Sequence, residues 1–224
     1  MKCARSDFDE MHKSRRVPRG EKRREEIAEV AQRVFMELGF TETTMQIIAA
    51  SAGASKETLY RHFGSKEELF SEIVRSRAAS VFSGVGEDLQ GGEPKEILTR
   101  IGHNMLRLVS GEDSLCLYRL VIAEVPRAPE LARIFLEQGP NQVLQQVTAQ
   151  IARATEAGHL NCADPALAAR LFLGALVGNR HMYALIAPEA DILTEEKINQ
   201  HVDEVVAMFL ARYGVPAEAR RSPS

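Results

Sequence analysis

The 224-residue chain carries 28 Lys+Arg against 31 Asp+Glu, a formal net charge of −3, which excludes a uniformly basic nucleic-acid coat and makes any polyanion site a local one. Hydrophobic residues make up 45% and charged residues 26%, the balance of a folded globular protein and not of a disordered chain. The longest apolar run, 171–178, falls far short of the roughly 18 residues a membrane span needs, and no charged-then-apolar leader opens the chain, so a cytoplasmic protein without a membrane partner is expected.

Apolar residues recur three and four apart along nearly the whole chain, while sustained period-2 alternation is missing, so the fold class expected is all-α. Residues 1–20 have no apolar stripe and carry Lys13, Arg15, Arg16 and Arg19 around Pro18, which reads as a flexible basic arm. A first helix follows through Ile27, Val30, Ala31, Val34, Phe35 and Leu38 and stops at Gly39. Thr44 is a candidate N-cap for a short helix through Ile47, Ile48 and Ala49; after Gly53, Ser55 caps another through Leu59 and Phe63. Ser65 and Glu68 have capping-box spacing and open a connecting helix through Leu69, Phe70, Ile73 and Val74 to about Phe82. Beyond a Gly-rich loop at 84–92, helices are expected near 94–110, 114–125, 129–157 with a break or kink at Gly139-Pro140, 164–187 and 194–213. The expected organisation is an arm (1–20), a three-helix unit with its connector (21–82), a larger helical domain (83–213) and a flexible tail (214–224).

Two short helices joined by a glycine turn form the helix-turn-helix geometry that presents its second helix to the DNA major groove, and residues 44–63 fit it. Leu59 and Phe63 face inward, which leaves Lys56, Thr58, Tyr60, Arg61 and His62 over the other faces. Lys reaches guanine O6 and N7, Thr meets a base edge or a thymine methyl, and Tyr and His donate to phosphate oxygens. Lys66 lies in the first turn of the next helix, where the dipole disfavours a cation but the free N–H groups favour a phosphate. Lys22, Arg23 and Arg24 crowd the start of the first helix in the same conflict, relieved either by a polyanion or by neighbouring Glu21, Glu25 and Glu26. Thr44 and Ser55 read equally as simple caps and as phosphate contacts. His62 has no second ligand at helical spacing, and Cys3, Cys116 and Cys162 lack metal-ligand spacing, so no metal is expected.

The string Thr44-x-x-x-Ile48-Ala49-x-x-Ala52-Gly53-x-Ser55-x-x-Thr58-Leu59-Tyr60-x-His62-Phe63-x-Ser65-Lys66-Glu67-x-Leu69 closely resembles the DNA-binding motif of the TetR family of bacterial transcriptional regulators. Ala54, where that family often has a larger aliphatic residue, departs from it. The resemblance implies that Thr44 contacts phosphate, that Ser55, Lys56, Thr58, Tyr60 and His62 belong to the recognition region, and that Lys66 clamps backbone phosphate. Tyr118–Glu124, Pro126, Pro129–Ala132 and Asp164–Ala169 resemble the AefR-like ligand-domain subgroup more loosely. That resemblance implies a small organic effector held between the middle helices, whose binding releases DNA.

The C-terminal part has no nucleotide loop, HExxH or GxSxG, so neither catalysis nor a cofactor is expected. Asn104, Tyr118, Phe172, Asn179 and Tyr183 offer polar or aromatic handles inside apolar stripes, as a ligand pocket would, although ordinary core packing looks much the same. The helix opened by Asp164-Pro165 is apolar on more than one face, through Leu167, Leu171, Phe172, Ala175, Leu176, Met182 and Ile186. The final helix adds Ile198, Val202, Val205, Val206, Phe209 and Leu210. Two such helices from each of two chains suggest a C2 homodimer, reading a roughly palindromic double-stranded operator with half-sites about 34 Å apart. The expected function is that of a repressor released from its operator by a small organic effector. A ligand-independent or activating regulator stands as the alternative, and a helical small-molecule-binding protein or enzyme without a DNA role as a more distant one.

Overall fold

The structure, a computed structural model, describes residues 19–85, 93–187 and 194–216. The basic arm up to residue 18 and most of the tail lie outside the described residues. Within them the chain is all-helical: α1 (Arg19–Leu38), α2 (Met45–Ser51), α3 (Lys56–His62), α4 (Lys66–Ser80), α5 (Pro94–Ser110), α6 (Glu112–Glu124), α7 (Pro129–Gln138), α8 (Pro140–Glu156), α9 (Pro165–Ile186) and α10 (Glu195–Tyr213).

Local chemistry sets most of the boundaries. The Thr44, Ser55, Asp164 and Thr194 side chains each accept the backbone N–H three residues on, at 3.2, 3.0, 2.9 and 3.3 Å. Ser65 Oγ accepts from Glu68 N at 3.1 Å while the Glu68 carboxylate reaches back to Gly64 N at 3.0 Å, a reciprocal cap at the start of α4. Pro140 divides α7 from α8 because it has no N–H to continue the helix. A break inside α9 at Gly178 (φ 40°, ψ −143°) has no counterpart in the sequence reading, which ran this helix unbroken.

The helices form two compact units that are discontinuous in sequence: Met1–Ser76 with Glu112–Gly139, and Arg77–Gly111 with Pro140–Ser224. The first unit is built on the inward face of α1, with Phe35, Phe40 and Phe70 at ring-centroid separations of 5.2, 5.6 and 6.1 Å. Ile48, Leu59 and Phe63 close it from the short helices, and Leu117, Leu131 and Phe135 from α6 and α7. The second unit packs α5, α8, α9 and α10 around Ile101, Leu106, Val147, Phe172, Leu176 and Val202. Here α5 and α10 cross closely at Gly102, where an added Cβ would lie 2.9 Å from Val202 Cγ1.

Candidate nucleic-acid interface

In the first unit α1 carries α2 and α3 as a helix-turn-helix. Gly53, in the turn between the short helices, has φ +55°, a conformation L side chains rarely adopt. Ile48 on α2 and Leu59 on α3 are fully buried and join both helices to the core that α1 also lines. With Leu59 and Phe63 directed inward, α3 presents Lys56, Glu57, Tyr60 and Arg61 as an exposed arc.

The structure brings most of the expected DNA-binding residues together on this arc and at its edges. Lys56 Nζ sits 5.8 Å from the Tyr60 ring centroid, one turn away, and 45% of Tyr60 is exposed, too much for a core role. Ser55 Oγ and Thr58 Oγ1 are 2.8 Å apart, so the N-cap hydroxyl and the half-buried threonine act as one hydrogen-bonding pair. Thr44 is exposed at the start of α2, and its hydroxyl caps Ile47. His62 is half-buried beside Phe63, at the end of α3. The sequence reading passed over Glu57, which lies on the same arc; a carboxylate there repels phosphate and accepts from a base-edge amine such as cytosine N4.

Three cations that the sequence associates with phosphate are engaged inside the protein. Arg23 donates to the carbonyls of Ala52 (2.8 Å) and Gly53 (3.2 Å) at the end of α2. Arg24 donates to His62 O (2.9 Å) at the end of α3 and to Glu72 (2.8 Å), with its guanidinium 4.7 Å from the Phe63 ring centroid. The positive charge that opposes α1's own dipole thus meets the negative ends of two other helices; Arg23 also pairs with Glu26 at 3.0 Å, one of the neighbouring glutamates the sequence offers. Burial pushes the Glu72 carboxyl up, but hydrogen bonds and charge from Arg24 and Arg75 prevail and hold it below the usual carboxylate range. Lys66, expected to clamp phosphate, donates to the carbonyls of Phe40, Thr43 and Thr41 at 2.9, 3.1 and 3.3 Å.

The expected effector residues do not share one place. Tyr118 belongs to the first unit, edge-on to Phe135 at 4.8 Å, and burial raises its phenol above the usual value. Phe172 is core, edge-on to Phe209 at 5.4 Å, whereas Asn179 and Tyr183 are exposed on α9. Asn104 donates to the carbonyls of Val81 (3.0 Å) and Ser83 (2.9 Å), and so closes the chain just beyond α4. Asn104→Ala is therefore expected to lower the melting temperature by about 2–8 °C, from the loss of two side-chain hydrogen bonds. Thermal unfolding checks this; an unchanged melting temperature with a lost ligand response would return Asn104 to an effector site.

The second unit has a small crevice of about 10 Å³ between α5 and α9, lined by Leu106, Val109, Ser110, Arg180, His181 and Ala184. None of the five expected effector residues lines it. His181 Nδ1 lies 3.1 Å from Val109 O there, and burial holds its imidazole below the usual value. No helix among the described residues is long and apolar enough to cross a membrane.

Comparison with known proteins agrees with this architecture. Residues 27–73 match the model of the bacterial regulatory proteins of the tetR family, and residues 96–215 that of the AefR-like transcriptional repressor C-terminal domain. The chain is 31% identical over 140 residues to the HTH-type transcriptional regulator YezE of Bacillus subtilis, covering 61% of this chain and 72% of YezE. Its likeness to the HTH-type transcriptional repressor KstR2 of Mycobacterium tuberculosis is 45% over 53 residues, only 24% of this chain and 26% of that one. Among solved structures, a TetR-family transcriptional regulator from Mesorhizobium loti superposes with a TM-score of 0.71 at 31% identity, covering 89% of this chain and 100% of the other. The flavonoid-responsive regulator FrrA superposes at 0.68 with 30% identity, covering 88% and 100%. With both of its parts matched, the chain belongs to the TetR family of bacterial transcriptional regulators and carries an AefR-like C-terminal domain.

Proposed function

We propose that this DNA-binding regulator is a cytoplasmic homodimeric repressor that reads a palindromic operator and is released by a small organic effector. The observation that carries the DNA half is the exposed arc of α3, where Lys56, Tyr60 and Arg61 stand clear of a core that Leu59 and Phe63 close behind them. Ser55, Thr58, Thr44 and His62 flank that arc with groups suited to phosphate and base edges. A second copy is the partner suggested for α9, whose Leu167, Leu171, Met182 and Ile186 are 44, 56, 54 and 77% exposed. The apolar stripe of α10 is not available for pairing, since Ile198, Val202, Val205, Val206 and Phe209 are buried in the chain's own core; Met208 remains, 60% exposed.

The effector half rests on the AefR-like domain and on FrrA, whose name describes a flavonoid-responsive protein. A ligand relieves repression only by binding the DNA-incompetent form better, and a coupling of about 1–3 kcal/mol gives roughly 5–150-fold release. The α5–α9 crevice, at about 10 Å³, has room for little more than a water and is far below the roughly 300–1,000 Å³ of ordinary ligand pockets, so an effector there would select a much more open form.

Selection of duplexes from a random pool by the full chain, followed by binding over a range of salt, tests the reading. Replacing Lys56 and Tyr60 together with Ala is expected to weaken the selected duplex by about 100-fold or more and leave the melting temperature unchanged. Wild-type affinity in that variant would remove α3 as the reading helix. A flavonoid panel added to the bound complex tests the effector class, and an operator affinity unchanged by every compound that stabilises the dimer defeats ligand release.

A further inference from the structure

The turn between α1 and α2, residues 39–44, sets where the helix-turn-helix starts, and its polar groups are held by side chains from two distant helices. From α4, Lys66 directs its ammonium at the carbonyls of Phe40, Thr41 and Thr43, 4.5 Å from the Phe40 ring centroid. From the end of α6, Glu124 accepts the Thr41 N–H at 2.9 Å and the Thr41 hydroxyl at 2.5 Å. Thr43 Oγ1 donates to Gly39 O at 2.6 Å, and Thr43 is 1% exposed. Gly39 has φ +84°, and a Cβ there would stand 2.7 Å from Glu124 Oε1, so the carboxylate lies directly against the turn.

These positions have a physical logic. An ammonium has three protons, and three carbonyls occupy them; a phosphate could take Lys66 only by stripping the turn of its donors. The first turn of α4 repels a cation, so the carbonyls and not the helix hold Lys66 in place. Glu124 is only 8% exposed, a buried carboxylate that needs compensation. The Thr41 hydroxyl, opposed by desolvation and assisted by the Thr41 N–H and the charges of Arg127 and Lys66, holds its carboxyl below the usual range.

We infer that Lys66 and Glu124 are positioning residues, a charge-opposed clasp on the Gly39–Thr44 turn that aims α2 and α3, and that Lys66 is not a phosphate ligand. The inference rests on the DNA-binding reading for its effect on affinity, while the clasp itself is testable without DNA.

The experiment uses the full chain and the duplex selected by the wild type, with Lys66→Gln, Glu124→Gln, Glu124→Ala and the double Lys66→Gln/Glu124→Gln. The melting temperature without DNA is expected to fall by about 3–8 °C for Lys66→Gln. Operator affinity falls about tenfold, while the slope of log affinity against log salt stays at the wild-type value. Glu124→Gln keeps an acceptor for Thr41 and is expected to retain more affinity than Glu124→Ala. The double variant loses less melting temperature than the two single losses combined.

A salt slope lower by about 0.9 per lost phosphate contact in Lys66→Gln, with or without a thermal loss, makes Lys66 a DNA ligand and overturns the proposal. An unchanged melting temperature, additive thermal losses, or equal affinities for the two Glu124 variants overturn it as well. If Lys66→Gln does not fold, amide exchange at Thr41 in the wild type decides: protection lost in Glu124→Ala supports the clasp, and an unprotected amide overturns it. A wild-type chain that selects no duplex defeats the DNA reading, and the thermal cycle still judges the clasp.

Discussion

Glutamate at Leu171 and Ile186 together is expected to convert the regulator to a monomer and to weaken its hold on a palindromic duplex by about 100-fold or more. Both side chains are solvent-facing within one chain, at 56 and 77% exposure, so the change leaves each protomer's core intact. In a twofold interface every substitution occurs twice, and carboxylates without partners are trapped where apolar contact was required, at several kcal/mol. A monomer engages one half-site alone and loses the gain from tethering two reading helices. Sedimentation velocity and duplex titration check the two effects separately. A double variant that remains dimeric at full affinity would exclude this face of α9 as the dimer interface.

Phe70→Ala should cost about 3–5 kcal/mol, a large fraction of the roughly 5–15 kcal/mol by which domains are stable. Phe70 is fully buried in α4, with its ring edge-on to Phe35 and Phe40, so truncation removes apolar burial and two aromatic contacts and leaves a cavity under α1. Urea unfolding measures the loss. Duplex binding should fail in parallel, because α2 and α3 rest on the same core. A loss below about 1 kcal/mol would show that the core collapses around the gap.

The parts of the fold governed by neighbouring residues were legible in the sequence. Thr44, Ser55, Asp164 and Thr194 cap where their spacing to the apolar stripe places them, and Gly139-Pro140 divides two helices for a covalent reason. The exposed arc of α3 was legible too, since Leu59 and Phe63 declare which side is inward.

The carbonyl oxygens that Arg23, Arg24 and Lys66 reach were not, because every residue has one and no side-chain pattern advertises which is used; Arg24's carboxylate partner Glu72 lies 48 positions away. Glu124 was hidden by distance: it meets Thr41 across 83 positions of sequence. The five expected effector residues lie apart in the structure, because polar groups inside apolar stripes serve structural ends as well. Asn104 tethers the segment after α4, and Tyr118 helps to fill the first unit's core.

The first unit's discontinuity bears on how the protein is made. Buried residues between 117 and 135, among them Leu117, Leu131 and Phe135, complete a core whose other buried members lie before residue 76. Ribosomes add about 5–20 residues per second, so the nascent reading head waits on the order of 3 to 12 s for its missing wall. During that interval Ile48, Leu59 and Phe70 have no complete shelter. A fragment truncated before α6 would be left in that state permanently, a poor substrate for operator assays and a good one for proteases.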